Sequence, residues 1–477
     1  MGAPMAYLRG ERQQTNLFPS SLEEYVGVED PVRVYDAFVE QLDFHELGLV
    51  LDEQQIGPPE FDPVSMLKLL VYGYAYGIRS SRKLERALHH NVSFMWLLGG
   101  LKPDHKTIAR FRRDHRDTLK GVLKQCVRLC LKLGLIEENT LFVDGTKIRA
   151  NAGMRESWSE ERCQRVLKEA EGRIEKILRE CDSVDEAESA KDSLVRVPGD
   201  LAEAKELREK VKAIYKELQG TGKKSFNTTD PDCRHVQGRQ GTHAGYNVQS
   251  VVDDKHGLIV QSDVVGDVND RHQLENQTNQ ANSMLGKPCK TVCADAGYDH
   301  NADWKDVDEQ GIAVVVKPND QGPLGPFTKD KFRYDAQRDC YVCPVGETLT
   351  YRSTTKQSQH RIYGITSAKI CRQCPHKAAC TTNWSGRSIA RAPLEEIRPA
   401  IIARYESKAG QAIYARRQSK VEHPFGHIKR NLGVQAFLLR RFAGVRAEAA
   451  IFATCFNIAR MMTLVGVKTL LPKLRTS

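Results

Sequence analysis

Two aspartates each follow a short apolar run and precede a glycine within two residues. Asp144 ends the run Asn-Thr-Leu-Phe-Val-Asp before Gly145, and Asp295 ends Thr-Val-Cys-Ala-Asp before Ala-Gly297. Such runs are typical of buried strands, so we predict that each carboxylate ends a strand at the sheet edge, with a flexible turn behind it. Carboxylate oxygens placed there suit Mg²⁺ or Mn²⁺. The alternative is that either aspartate is an ordinary cap or turn residue.

A third carboxylate is needed if two such ions are to activate a hydroxyl nucleophile and stabilise the leaving oxygen of a phosphodiester. Glu422 is the candidate. It lies in a predicted basic helix and is one of only three acidic residues within 398–477, a stretch that carries fifteen Lys or Arg. We therefore predict that Asp144, Asp295 and Glu422 bind divalent metal together.

Charge is unevenly distributed in this chain of net charge +10. Residues 1–78 carry four Lys or Arg against thirteen Asp or Glu, whereas residues 79–132 carry fourteen against four. Together with the basic stretch 398–477, this indicates contact with a polyanion at more than one place, a solvated surface being the alternative. No apolar run approaches the roughly 20 residues of a bilayer span. The N-terminus (Met1–Arg12) shows no secretory signal, so we expect a cytoplasmic protein without a membrane partner.

Residues 63–133 read as helices, and one of them is strongly basic. Asp104 is predicted to cap a helix whose Ile108 and Phe111 point inward. The side chains predicted to point outward are Lys106, Arg110, Arg112 and Arg113. A short helix, a turn and a basic helix is the outline of a helix-turn-helix DNA reader, although an ordinary basic surface helix has the same pattern.

The middle and end of the chain alternate strand and helix patterns. Residues 156–219 predict a helical hairpin with Pro198-Gly199 between its helices. The remaining predicted strands are 139–144, 245–252, 258–265, 291–295 and 312–317, and the remaining predicted helices are 271–285, 396–430 and 444–464. This order indicates a mixed sheet covered by helices.

Five of the thirteen cysteines cluster between residues 340 and 380, in a chain whose thiols we expect to be reduced. Two Cys-x-x-Cys pairs, Cys340 with Cys343 and Cys371 with Cys374, are separated by twenty-seven residues. Such pairs suit tetrahedral zinc, so we predict a zinc-ribbon-like insertion. Cys380 or His376 could replace one ligand, and unligated cysteines are the alternative.

Three motifs resemble those of bacterial insertion-sequence transposases of the DDE class, which are named for two aspartates and a glutamate. They are Phe142-Val-Asp144-Gly-Thr-Lys-Ile-Arg-Ala-Asn-Ala, Ala294-Asp295-Ala-Gly-Tyr298-Asp and Tyr414-Ala-Arg-Arg417-Gln-Ser-Lys-Val-Glu422-His-Pro-Phe-Gly-His-Ile-Lys429. One large group of these enzymes carries a tyrosine, arginine, glutamate and lysine signature on the last helix. The spacing from Glu422 to Lys429 matches that signature, whereas Arg417 is one residue further from Glu422 than is usual.

The resemblance implies a DNA transposase that acts on double-stranded DNA, at terminal inverted repeats and at a target. Asp144, Asp295 and Glu422 would hold Mg²⁺ or Mn²⁺, and a homodimer would assemble on paired ends. Lys429, about two helical turns after Glu422, would share its face and hold a phosphate. Arg417 is expected to point well away from that face and to contact DNA backbone, together with Tyr414 of the same signature. Solvated side chains are the alternative for Lys429 and Arg417.

Tyr298 would contact a DNA end base or, alternatively, be structural. The implied fold is α/β, an RNase H-like mixed sheet with flanking helices. The implied domains are a helical DNA-binding domain at 1–136, a first part of the catalytic core at 137–320 with the hairpin inserted at 156–220, the cysteine-rich insertion at 321–393, and the C-terminal helices of the core at 394–477. A nuclease without strand transfer and a catalytically idle DNA-binding regulator remain as alternatives, and nucleoid association is expected in all three cases.

Overall fold

The computed structural model describes residues 21–49, 60–187, 197–221, 225–238, 241–319 and 326–476. The N-terminal residues 1–12 and the domain boundary predicted at 320–321 lie outside these ranges. Within them, the first part of the chain is helical, as the sequence predicts. The helices are α1 (Leu22–Tyr25), α2 (Pro31–Glu40), α3 (Pro63–Ala75), α4 (Ser81–His90), α5 (Val92–Leu97), α6 (His105–Asp114) and α7 (Arg116–Lys132).

A six-stranded mixed sheet follows, with helices around it. Its elements, with those of the hairpin, are β1 (Thr140–Arg149), β2 (Ser157–Ser159), α8 (Glu160–Ala187), α9 (Val197–Thr221), β3 (Ser225–Asn227), β4 (Arg234–Gly238), β5 (Gly241–Asp253), β6 (Ile259–Val265), α10 (Leu274–Leu285), β7 (Thr291–Ala294), α11 (Asn301–Glu309) and β8 (Ala313–Val316). The strand order is β4-β5-β1-β7-β8, and β6 also pairs with β5.

The helical hairpin differs from the prediction at its turn. Helix α9 begins at Val197, so Pro198-Gly199 lies in its first turn and not between the two helices. Proline is tolerated there because the first turn of a helix has no hydrogen-bond acceptor for its backbone N–H groups. The hairpin and the small sheet β2-β3 share a separate apolar cluster that contains Trp158, Val211 and Phe226.

The cysteine-rich segment forms a second, five-stranded sheet of order β13-β12-β11-β10-β9. Its elements are β9 (Arg333–Asp335), β10 (Cys340–Val342), β11 (Thr348–Thr354), β12 (Arg361–Ile365), α12 (Ala368–Gln373), α13 (Lys377–Cys380) and β13 (Ser388–Arg391). The chain then returns to the first sheet through α14 (Arg398–Glu406), α15 (Lys408–Arg430), α16 (Arg441–Val465) and α17 (Val467–Arg475).

Helix α16 joins the N-terminal helices to the sheet. It packs against α3, α7 and β6, and one continuous apolar core runs from Val26 to Leu474. Glu448 of α16 is fully buried, pairs with Arg79 at 3.2 Å and accepts from the N–H of Leu438 at 2.9 Å. The helix is long and apolar enough to cross a membrane, but 67% of its most apolar window is buried inside the protein. This burial identifies it as a core helix.

Strand β1 is longer than predicted, and Asp144 lies in its middle and not at its end. The strand continues to Arg149 because β5 pairs with it along its whole length, from Leu141 opposite Asp253 to Arg149 opposite Gly245. On its other side β1 pairs with β7 only over residues 140–142. From Asp144 to Ile148 this edge of β1 is therefore open among the described residues, and at Arg149 it bridges to Ala436. Gly145 also lies within the strand and forms no turn.

Candidate active site

The first two predicted carboxylates lie side by side. Strands β1 and β7 are parallel, with Phe142 opposite Cys293. Asp144 lies two residues after Phe142 and Asp295 two residues after Cys293, so the two acids lie at the same level of the sheet. Asp295 comes directly after β7, as predicted, and its Oδ1 accepts from the N–H of Gly297 at 2.8 Å. The sheet register therefore brings together two acids that are 151 residues apart in sequence.

Burial controls the protonation of Asp144. Desolvation raises the pKa of Asp144 to about 7, the nearby Arg417 guanidinium opposes this rise, and the charges of Asp295 and Asp270 add to it. A carboxylate that is buried beside like charges is disfavoured as an anion until a cation joins it. The acids therefore fit a divalent metal ion, which prefers oxygen ligands and supplies the missing positive charge.

We expect Asp144→Asn to stabilise the metal-free protein at pH 8. Because the pKa of Asp144 is higher in the folded chain than in the unfolded chain, its contribution to stability is present near pH 4 and is lost as the pH rises through about 7. Asparagine avoids this loss, which is up to about 4 kcal/mol for a shift of about three units.

The measurement is thermal unfolding of wild type and variant in EDTA at pH 5 and pH 8. The variant should unfold at a higher temperature, with the larger difference at pH 8. Added Mg²⁺ should then stabilise the wild type alone. Equal unfolding temperatures of wild type and variant at pH 8 would contradict a raised pKa of Asp144 in the folded protein.

Glu422 lies across an open cleft from these strands. It is exposed on α15, and its Oε1 accepts from Gln418 Nε2 at 3.0 Å. Glu422 and Asp144 both line this cleft, which has a volume of about 1000 Å³. Lys429 also lines it, and its Nζ donates to Thr146 Oγ1 at 2.5 Å, so the ammonium group lies beside the open edge of β1. The cleft thus combines two of the three predicted acids with the predicted phosphate-binding lysine.

Arg417 differs from the prediction because it faces the acids. Its Nη1 lies 3.7 Å from Asp144 Oδ1, and its side chain is only 16% exposed. Its guanidinium also lies 5.6 Å from the ring centre of Tyr414. The five-residue spacing does rotate Arg417 about 140° from Glu422. However, α15 packs across β1 and β7, so this second face of the helix also lies against the carboxylates.

Tyr298 and Tyr414 lie near the acids in different environments. Tyr298 is fully buried, and its hydroxyl donates to Gln249 Oε1 at 2.5 Å. Such burial favours the structural alternative over contact with DNA. Tyr414 is half-buried, and its ring packs edge-to-face on Tyr405 with 5.1 Å between ring centres.

The predicted basic helix of the N-terminal region is α6. Asp104 caps it by accepting from the N–H of Thr107 at 2.8 Å, and Ile108 and Phe111 are buried as predicted. Lys106, Arg110 and Arg113 are exposed. Arg112 was expected to point outward, but it is buried and donates to the carbonyl oxygen of Arg79 at 2.7 Å. Arg112 joins α6 to the neighbouring segment and is not part of the basic surface.

Four cysteines surround one small apolar cavity in the second sheet, and they differ from the predicted set in one member. The cavity is lined by Cys343, Cys371, Cys374 and Cys380. Cys380 thus takes the place predicted for Cys340, which is buried within β10 and does not line the cavity. Burial raises the pKa of Cys380, as do the neighbouring thiols. Four sulfurs around one cavity fit a zinc ion, because the positive charge of the ion offsets the repulsion between neighbouring thiolates.

Outside the cleft, a second group of potential ligands has a structural explanation. His272, His300 and Asp303 place ligand atoms within 4.8 Å of one another. Asp303 Oδ1 lies 2.7 Å from His300 Nδ1, and its Oδ2 accepts from the N–H of Leu274 at 3.0 Å. Asp303 thereby caps α10 and holds the segment after Asp295 against it.

The sequence prediction missed two polar residues, Lys147 in the cleft and its partner Asp270. Lys147 follows Asp144 by three residues and lines the cleft, and its Nζ lies 3.2 Å from Asp270 Oδ1. Lys147 lay within the first motif, but no pattern distinguished it from a surface lysine. Asp270 belongs to the polar segment between β6 and α10, and its sequence context resembles that of any loop acid.

Two family models match the chain. A model described as a transposase domain (DUF772) matches residues 20–114, and a model described as a transposase DDE domain matches residues 342–462. The first match covers α1 to α6, and the second covers most of the cysteine-rich sheet, Glu422 and Lys429. No curated protein and no solved structure matches the chain significantly.

Proposed function

The chain is a DNA transposase of the DDE class of insertion sequences, and we propose that it cuts the ends of its element and joins them to target DNA with metal ions held by Asp144, Asp295 and Glu422. The observation that carries this proposal is the register of β1 and β7, which places Asp295 beside Asp144, and Asp144 lines the cleft. Glu422, within the matched DDE domain, lines the same cleft.

The sheet topology supports an RNase H-like core. Strand β1 is central, β5 and β6 extend the sheet on one side in antiparallel pairs, and β7 and β8 extend it in parallel on the other. This arrangement leaves the first acid on the central strand and the second after the adjacent parallel strand. Helix α15, which carries the glutamate, packs against both strands.

The proposed chemistry is two successive phosphoryl transfers. In the first, water attacks the phosphorus at the element end, and the bond to the 3′ oxygen breaks, leaving a 3′-hydroxyl and a 5′-phosphate. In the second, that 3′-hydroxyl attacks a target phosphodiester, and the target's own 3′ oxygen leaves. Two divalent ions, when bound, activate the nucleophile and stabilise the leaving oxygen.

The residues of the chain bind the substrate and balance its charge. Asp144, with Asp295 beside it on the next strand, lies on one side of the cleft and Glu422 on the other, while Arg417 offsets part of the negative charge of Asp144. Lys429 holds a phosphate beside β1. The exposed cations of α6 contact duplex DNA away from the cleft and position the terminal repeat.

The four cysteines around the cavity form the zinc site of this proposal, with Cys380 as the fourth ligand in place of Cys340. The ion would stabilise a small sheet whose apolar cluster is limited to a few residues, such as Phe332, Tyr341 and Tyr363. Its role is structural, because the cavity is separate from the cleft that holds the acids. From the family resemblance we also propose a homodimer on paired ends and a nucleoid location.

The test is incubation of the purified protein and Mg²⁺ with duplexes carrying the terminal inverted repeats of its own element, together with a supercoiled target plasmid. Joined products that disappear with Asp295→Ala support the proposal. Cleavage without joining would indicate a nuclease, and binding without cleavage would indicate a regulator. Either of these last two outcomes would overturn the strand-transfer function.

A further inference from the structure

The open edge of β1 has a lysine on each face of the strand. Side chains alternate along a strand, so Thr146 points to the face of Asp144 and Lys147 points to the other. Lys429 reaches Thr146 on the first face, and Lys147 projects from the second. Both lysines line the cleft that contains Asp144 and Glu422. A DNA strand that follows this edge would pass between the two cations.

Lys147 is held in place by Asp270. Asp270 Oδ1 accepts three hydrogen bonds, from Lys147 Nζ at 3.2 Å, Asn247 Nδ2 at 2.8 Å and Gln249 Nε2 at 2.6 Å. Asn247 and Gln249 are buried and lie opposite Lys147 and Gly145 in the β1–β5 ladder. The two buried amides therefore fix the carboxylate independently of the lysine.

Gly145 and Tyr298 tie this arrangement to both catalytic segments. A Cβ at position 145 would lie 2.6 Å from Asp270 Oδ1 and 2.5 Å from Gln249 Nε2, so a larger residue directly after Asp144 would displace these two side-chain ends. The hydroxyl of Tyr298, three residues after Asp295, donates to Gln249 Oε1. One hydrogen-bonded network thus extends from the segment of Asp295 to Lys147.

The surroundings of Lys147 favour binding of a ligand over a purely structural ion pair. An ammonium group has three N–H donors, and within the described residues its hydrogen-bonding partner is Asp270 alone. Its side chain is 20% exposed and faces the cleft. Asp270 Oδ1 already accepts from two amides, and Lys147 keeps two N–H donors for which the described residues supply no acceptor.

We propose that Lys147 is a second phosphate-binding residue of the catalytic cleft, placed across the edge of β1 from Lys429, and that Asp270 is the positioning residue that orients its ammonium group. The partner is a phosphodiester of the strand being cut. This inference rests on the proposed function and assigns one further contact within it.

The test measures how salt changes the binding of a duplex that carries the element's terminal repeat, with Ca²⁺ as a divalent ion that does not support turnover. A lysine that neutralises one phosphate contributes about one to the slope of log affinity against log salt. Lys147→Gln keeps a hydrogen bond to Asp270 but removes the charge, so the slope should fall by about one. Lys147→Arg should restore it.

Lys255→Ala is the matched control. Lys255 is also a partly exposed, ion-paired lysine, with its Nζ 2.9 Å from Glu137 Oε1, but it lies beyond the opposite end of β1. Its removal should leave the slope unchanged. An unchanged slope for a folded Lys147→Gln variant would overturn the inference while the proposed function stood. Failure of the wild type to bind the duplex would overturn the proposed function itself.

Asp270→Asn tests the positioning role separately. The lysine keeps its charge, so the salt slope should match the wild type. The cleavage rate at saturating DNA should nevertheless fall by about ten- to a hundredfold, as is typical when the group that orients an active-site residue is removed. A rate equal to that of the wild type would contradict the role of Asp270.

Discussion

Asp295→Asn is expected to abolish both end cleavage and strand transfer, with each rate lowered by about a thousandfold or more. The acid lies directly after β7, at the same level as Asp144 on the adjacent strand, so its loss removes one of the two carboxylates on one wall of the proposed metal site. Metal ions contribute several kcal/mol to the stabilisation of phosphoryl transition states, and each 1.4 kcal/mol corresponds to about tenfold in rate.

Pre-cut ends separate the two reactions. Strand transfer is measured with a duplex that already carries the 3′-hydroxyl, and cleavage is measured with an intact duplex. Both should fail with Asp295→Asn, while binding to the duplex is retained. The control is Asp267→Asn, which changes an exposed acid that accepts from Gln273 Nε2 at 2.7 Å and does not line the cleft. Retention of strand transfer on pre-cut ends would contradict a shared metal site for both steps.

Cys380→Ser is expected to release zinc and to unfold the five-stranded sheet, whereas Cys340→Ser is expected to retain both. Cys380 lines the cavity with Cys343, Cys371 and Cys374, and Cys340 does not. Zinc binding supplies about 10–16 kcal/mol to small structural sites, so its loss exceeds what the apolar cluster of this sheet can replace. Metal content by mass spectrometry and proteolysis between residues 326 and 393 are the measurements.

The paired variants make this prediction specific. Both remove one sulfur from the same sheet, so a general effect of cysteine removal would appear in each. If Cys340→Ser lost zinc and Cys380→Ser retained it, the ligands would be the four cysteines of the two Cys-x-x-Cys pairs, and Cys380 would not be a ligand. The zinc site itself would be contradicted if the wild-type protein contained no zinc after purification and bound none when zinc was added.

The strands that carry Asp144 and Asp295 were predictable because an apolar run is a local pattern. An apolar run such as Thr291–Ala294 has few stable conformations other than a buried strand, and the acid that follows it must emerge at the sheet edge. The end of β1 was not predictable from this rule, because the polar residues from Asp144 to Arg149 do not resemble a buried strand. They remain extended because β5 supplies a complete set of backbone partners.

Contacts between distant segments account for the other differences. Helical spacing separates Arg417 from Glu422 by about 140° around α15. It could not show that α15 would lie across β1 and bring Arg417 to within 3.7 Å of Asp144. The twenty-seven residues between the two Cys-x-x-Cys pairs gave no reason to prefer Cys380 over Cys340, since the choice depends on how the strands fold together. In the same way, the contact between Lys147 and Asp270 joins residues 123 positions apart.

Exchange of the metal ion tests most directly that the acids hold the catalytic ions. Asp144→Cys replaces a hard oxygen ligand by a thiolate, which binds Mn²⁺ much better than Mg²⁺. The measurement is strand transfer of pre-cut ends by this variant in each ion, compared with the wild type. We expect Asp144→Cys to be inactive in Mg²⁺ and to regain activity in Mn²⁺. A variant that is as active as the wild type in Mg²⁺ would contradict it.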